Sequence, residues 1–230
     1  MRFLLFLSWI TVVFGIFIED DGGYGGRGES YSSSSSSESH EGHGHHHRPR
    51  PSRPRPPHRP PSRPRSCEDG WMTFDRPQGQ WCVKVFYGMM MQSSAEAMCK
   101  AQGATLTGFQ TAGERVRVAD AARDVSNANG GGLSEIWIGA TLKPSCPRRG
   151  SCAPLDTFQW TDGHTTGTAG FYYPGNEPNY FRGTQSCLIM HQSVVAGQNA
   201  RYNYPHASLD DDNCLVANWV RMYACGKVPS

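Results

Sequence analysis

An α+β fold stapled by disulfides is what the sequence predicts, and three observations carry it. Two helix starts are written as capping boxes, short apolar runs of strand length follow them, and all eight cysteines lie after residue 66. Between the runs lie long Gly- and Asn-rich loops, and so much loop needs staples or ions to hold it.

At the start, Met1 and Arg2 precede an almost unbroken apolar run over residues 3–18 that stops at Glu19, Asp20 and Asp21. That is a signal-peptide profile, with cleavage expected near the small residue Gly15. The run is shorter than the ~20 apolar residues a spanning helix needs, and no later stretch is apolar enough to cross a membrane. The mature protein is therefore expected to be secreted, soluble and extracellular. The cysteines agree: an even number in an exported domain reads as disulfides with no leftover thiol, which argues against a catalytic cysteine.

Residues 19–66 are expected to be a disordered tail, because Gly, Ser, His, Arg and Pro dominate and only Tyr24 and Tyr31 are bulky. Its Arg-Pro stretch over 48–65 favours extended polyproline geometry and reads as a semi-rigid spacer. The seven arginines there would attract polyanions weakly. The histidines at 40, 43, 45, 46 and 47 would take up zinc or copper loosely, since a flexible tract fixes no geometry. The net charge of +2 hides this layout and does not imply nucleic acid as a partner.

Residues 67–230 form the expected domain, long enough for a real core. Ser93 with Glu96 and Thr111 with Glu114 read as capping boxes. The first helix is expected to run to about Gln102. The second should carry Val116, Ala119, Ala122 and Val125 inward and end at Asn129 and three glycines. Strand-like runs follow at 136–140, 158–160, 187–190 and 219–225, giving two helices and then small antiparallel sheets.

The cysteines, Gly70-Trp71, Trp137-Ile138-Gly139, Trp160-Thr161-Asp162-Gly163 and Glu177-Pro178-Asn179 stand together in one order over residues 67–225. In this the chain resembles a C-type lectin-like domain. Eight cysteines alone allow many pairings. The resemblance implies Cys67 with Cys82, Cys99 with Cys225 and Cys187 with Cys214, leaving Cys146 and Cys152 to close a small loop that the family pattern does not demand. The Cys99 bridge would close a long loop, worth about 4 to 5 kcal/mol in the chain-entropy account.

The same resemblance implies a calcium ion held by oxygens of the long loops. Calcium takes six to eight hard oxygen ligands, which carboxylates and amide carbonyls supply. Glu177 and Asn179 match the family's ligands directly, and the proline between them is implied to be cis. Gln185, two residues before Cys187, stands where the pattern has Glu. Counting back from Cys214, Leu209, Asp210 and Asp211 replace Trp-Asn-Asp, so Asp211 alone matches strictly. The two charge changes offset each other, and three carboxylates remain for one divalent ion. At the second sugar hydroxyl Gln185 would then donate and Asp210 accept, the reverse of the family arrangement. The order Glu-Pro-Asn goes in the family with mannose, GlcNAc or fucose, whose paired hydroxyls are equatorial. The partners implied are glycans, microbial or extracellular. Tyr180, Phe181, Tyr204 and His206 lie near the site in sequence and are of types that stack on sugar faces.

The competing reading is a calcium-independent lectin-like module used for protein contact or scaffolding, favoured by Gln185 and Leu209. An enzyme is not expected: His164, His191 and His206 stand singly, and no nucleophile elbow or His-Glu metal motif occurs.

Overall fold

A computed structural model describes residues 66–230 of the chain. The signal peptide expected over 1–18 and the tail expected over 19–66 lie outside the described residues, Ser66 apart. In order, the elements are β1 (Met72–Arg76), β2 (Gly79–Tyr87), α1 (Gln92–Ala101), β3 (Thr105–Leu106), α2 (Ala112–Ala128), β4 (Ser134–Leu142), α3 (Pro154–Thr157), β5 (Phe158–Trp160), β6 (Cys187–Gln192), β7 (Leu209–Asp212) and β8 (Val220–Lys227). A strand hairpin thus precedes the first helix, and α3 adds a single turn to the two helices expected.

One eight-stranded sheet replaces the small sheets expected. Its order is β1-β2-β8-β4-β6-β7, with β3 added on β8 and β5 on β4. All pairings are antiparallel except β4 with β8, which run parallel. The central strands read as continuous apolar runs because both of their faces are covered. Ile136, Ile138, Leu188, Met190, Met222 and Ala224 point to one side, where Val118, Ala119 and Ala122 of α2 pack. Trp137, Ile189, Tyr223 and Cys225 point to the other, where Ala95 and Cys99 of α1 pack. This is the period-two alternation of a strand applied to a sheet sandwiched between two helices.

Each capping box meets a different outcome. Thr111 is the N-cap of α2, its side chain accepting from Glu114 N at 3.1 Å. The buried stripe runs through Val118, Ala119, Ala122 and Ser126, so Val116 points outward, against expectation. Ser93 is not a cap: α1 starts from Met91 with no side-chain cap. Glu96 instead reaches across to β3, accepting from Thr105 Oγ1 at 2.8 Å and Leu106 N at 2.7 Å. Asn129 caps the far end of α2, and Gly130, Gly131 and Gly132 all take the positive φ angles that stop a helix.

Arg76 explains how β1 is anchored. Its guanidinium is fully buried and clamps Glu114 through Nε at 3.0 Å and Nη2 at 2.7 Å. It also donates to Gly108 O and Thr165 Oγ1. The four disulfides join Cys67 to Cys82, Cys99 to Cys225, Cys146 to Cys152 and Cys187 to Cys214, and among the described residues no free cysteine remains.

Candidate metal centre

The segment between β5 and β6 brings Glu177 and Asn179 to the end of β7, which carries Asp210 and Asp211. The Glu177–Pro178 peptide is cis. Asn179 Nδ2 donates to Glu177 Oε1 at 2.8 Å, so the two side chains lie together. Tyr180 adopts a left-handed backbone (φ 52°), and the consecutive N–H groups of Asn179 and Tyr180 donate to the two oxygens of Asp211 at 2.8 and 2.7 Å. Such paired amides form a nest that holds an anion. Asp211 is thereby fixed although almost fully buried.

Glu177, Asp210 and Asp211 each offer a carboxylate oxygen, and these atoms all lie within 4.8 Å of one another. Glu177 Oε2, Asn179 Oδ1 and Asp210 Oδ1 are buried and have no hydrogen-bond partner. Buried polar atoms nearly always find partners, and leaving one without costs about 1 to 3 kcal/mol, more for a charge. A hard divalent cation would satisfy all three at once, and the donor set, carboxylates and one amide oxygen, is of the right chemistry.

Gln185 sits beside Asp210 and Asp211 in a cavity, but its Oε1 accepts from Phe181 N at 2.6 Å. Among the described residues its amide NH₂ has no hydrogen-bond partner, which is the end required if it is to donate to a sugar hydroxyl. Leu209, where the family pattern has Trp, is fully buried against the α2 face of the sheet. Tyr180, Phe181 and Tyr204 line one hollow with Glu177 and Asn179. His206 does not: its Nδ1 accepts from Ser193 N, and its Nε2 lies 3.3 Å from Asp120 of α2.

Two contacts were not legible in the sequence, one of them made by Tyr204, which the sequence places only near the site. Tyr204 donates its hydroxyl to Glu177 Oε1 at 2.6 Å, from a turn in the long β6–β7 connection. His191 is fully buried, with Nε2 3.3 Å from Asp210 Oδ2 and Nδ1 3.7 Å from Glu135, which Arg201 pairs at 2.9 Å. Burial pushes the His191 imidazole down and the Glu135 carboxyl up. A lone histidine and a tyrosine in a loop carry no spacing signal, so only the fold could bring them in.

Burial pushes Asp211 up to about 7, against the pull of the Asn179 and Tyr180 amides. Burial and then the Glu177 charge raise Asp210 well above the carboxylate range. Both groups therefore hold more protons folded than unfolded from the ordinary value of 3.8 up to their folded values, Asp211 to about 7 and Asp210 above it. Their contribution to stability is complete below the ordinary value of 3.8 and is lost as the pH rises through about 7. In chelator, the domain should thus be more stable at pH 7 than at pH 8.5, by on the order of 1 kcal/mol. Thermal scans at the two pH values check this, and a midpoint that climbs with pH contradicts it.

Residues 73–228 match the family described as C-type lectin domain-containing protein 141/158. No curated protein matches the sequence. Among solved structures, the C-type lectin CEL-I from Cucumaria echinata is similar at 17% identity and TM-score 0.49, covering 70% of this chain and 96% of that one. A calcium-independent type II antifreeze protein is similar at 20% identity and TM-score 0.48, covering 73% and 98%. The cow CD23 C-type carbohydrate-recognition domain, solved with a GlcNAc2Man3 oligosaccharide, is similar at 14% identity and TM-score 0.48, covering 72% and 98%. The family match extends from β1 to the end of β8 and takes in the whole sheet: the chain belongs to the C-type lectin domain-containing protein 141/158 family and has a C-type lectin-like fold.

Proposed function

We propose that this chain is a secreted calcium-dependent carbohydrate-binding protein. The observation that carries the reading is the cluster of Glu177, Asp210 and the fixed Asp211, whose carboxylate oxygens lie within 4.8 Å of one another, with Glu177 Oε2, Asn179 Oδ1 and Asp210 Oδ1 buried and without a hydrogen-bond partner among the described residues. Calcium bound there would supply positive charge to two neighbouring sugar hydroxyls. The chain's own residues do the rest. Glu177 and Asp210 accept from the hydroxyls, while Asn179 and Gln185 donate. The Glu-Pro-Asn order favours equatorial pairs of the mannose, GlcNAc and fucose kind.

Purified protein passed over mannose, galactose and underivatised resins in calcium should be retained on mannose and released by chelator. Equal passage through all three would exclude the reading. The full chain should be exported and cut near Gly15, which N-terminal sequencing of the mature protein locates.

One observation favours a calcium-independent protein-binding module instead. Without any ion, Glu177 Oε1 already receives both Asn179 and Tyr204, and Gln185 Oε1 receives Phe181 N. Unaltered thermal stability on adding calcium would support that module.

A further inference from the structure

We infer that the loop closed by Cys146 and Cys152 builds a cationic subsite beside the sugar site, and that the preferred saccharide carries an anionic group, a sulfate or a carboxylate. The inference rests on the sugar-binding reading above and names the class of its ligand.

The bridge spans only six positions, and within it Arg148-Arg149-Gly150-Ser151 forms a tight turn. Ser151 N donates to Arg148 O at 3.1 Å, Arg148 N donates back to Ser151 Oγ at 3.2 Å, and Gly150 takes the positive φ of 74° that the turn needs. The backbone groups of the turn are thus paired with each other, and the base is pinned by the buried Cys146. A rigid turn is costly to keep unless what it displays has a use; what it displays is two arginines.

Arg149 projects into the hollow of about 520 Å³ that also holds Glu177 and Asn179. It lines a second, deeper hollow of about 170 Å³ as well, reached past Asn176 and Tyr180, which border both. Arg182, from the segment that follows Tyr180, lines the first hollow too, with its guanidinium 5.0 Å over the Phe181 ring. The volume is that of a ligand site. The exposed ring of Phe181 and the half-buried ring of Tyr204 offer the apolar faces that a pyranose ring packs on.

Neither arginine serves the carboxylates. Among the described residues Arg148, Arg149 and Arg182 form no ion pair, while the acidic cluster is met by Asn179, Tyr204, His191 and backbone amides. Arg149 and Arg182, neither of them in an ion pair, both line the hollow and present forked donors that match a sulfate or carboxylate bidentately, Arg182 with its guanidinium over the Phe181 ring. A saccharide seated on Glu177 and Asn179 would therefore meet positive charge at the outer parts of the same hollow. Neutral sugars would use the inner part alone.

The test uses the full chain in calcium with three small probes: methyl α-mannoside, its 6-sulfate and methyl α-mannosiduronate. Small probes keep the arginine-rich segment at 48–65 from dominating, as it would with a polyanion. Titration calorimetry should find at least one acidic glycoside about tenfold tighter than the neutral one, the size of one charge-assisted hydrogen-bond pair. The two acidic arms tell sulfate from carboxylate. In Arg149→Gln/Arg182→Gln the acidic glycosides should fall to the neutral affinity while the neutral one keeps its own. Acidic and neutral probes binding alike in the unaltered chain, or a preference that survives in the double variant, overturns the subsite. Binding of the acidic probe that is lost in the double variant but insensitive to chelator keeps the subsite and overturns the calcium reading. Neutral binding in calcium without acidic preference does the opposite.

Discussion

Replacing Glu177 with Gln should lower calcium affinity by at least about 100-fold while raising the stability of the ion-free domain. The two effects have one cause. Glu177 Oε2 is a buried, partnerless carboxylate oxygen, and its charge helps force the neighbouring Asp210 to keep its proton. Glutamine keeps an oxygen to accept from Asn179 and Tyr204, as Glu177 Oε1 does at 2.8 and 2.6 Å. It puts an amide NH₂ where the orphan oxygen was, next to Asp210. Without an ion, an amide that can donate to Asp210 replaces a buried charge that obliges Asp210 to stay protonated, a relief worth roughly 1 to 2 kcal/mol. With calcium, one of three anionic ligands is gone, and ligand charge sets affinity in such sites. At a calcium concentration 100-fold above the dissociation constant the native domain gains about 2.7 kcal/mol, and the variant should gain almost none. Calorimetric titration with calcium and paired thermal scans read both signs. A variant that is less stable than the native chain in chelator would show that Glu177 is held by its partners and not waiting for a cation.

Gly139→Ala should leave too little stability for a cooperative unfolding transition at physiological temperature, a loss of about 3 kcal/mol or more. Gly139 lies within β4, donating to Thr107 O at 2.9 Å and accepting from Thr161 N at 2.9 Å. A methyl there would run into the carbonyl of Leu106, a backbone atom that cannot swing aside. Between Trp137 and Thr141 the pairing of β4 with β6 shifts register, so the strand is already bent to let Leu106 and Thr107 cross it. Gly113→Ala is the control: in the first turn of α2 a methyl meets only Thr111 Oγ1 at 3.8 Å, and the change should stabilise by up to about 1 kcal/mol. Urea unfolding of the two variants separates a packing demand from a general intolerance of alanine for glycine.

The parts of the fold legible in the sequence are those where one local rule acts alone. Thr111 and the glycines after Asn129 fix both ends of α2, and unbroken apolar runs mark the strands covered on both faces. The hairpin β1–β2 escaped because its alternation is broken by a charge turned inward, Arg76, whose partner Glu114 lies 38 positions away. β7 escaped for a related reason. Leu209-Asp210-Asp211-Asp212 has the composition of a solvated loop, yet Asp211 and Asp212 are buried in a strand paired with β6. Their oxygens are accounted for by amides of distant segments and by Trp219 Nε1 at 2.8 Å, none of which neighbours them in sequence, Asn213 N apart. The Ser93–Glu96 spacing misled because a carboxylate three residues along serves any nearby N–H, and β3 offered a better one. At the site, the Glu-Pro-Asn motif pointed to Glu177 and Asn179 and counting back from Cys214 pointed to Asp210 and Asp211, whereas the contacts of Tyr204, from the long β6–β7 connection, and of His191, from within β6, follow from no local rule.

The parallel seam between β4 and β8 has a consequence for how this domain is made. β8 lies between β2 and β4 in the sheet, so the hairpin at residues 72–87 and the strand at 134–142 have no common neighbour until residues 220–227 exist. A ribosome that has delivered the first hundred and fifty or so residues of the domain has delivered two fragments with raw inner edges, and the oxidation of Cys99 has to wait for Cys225. The strand order therefore makes completion of the sheet a late step, since the hairpin and the central strands join only through the last strand made.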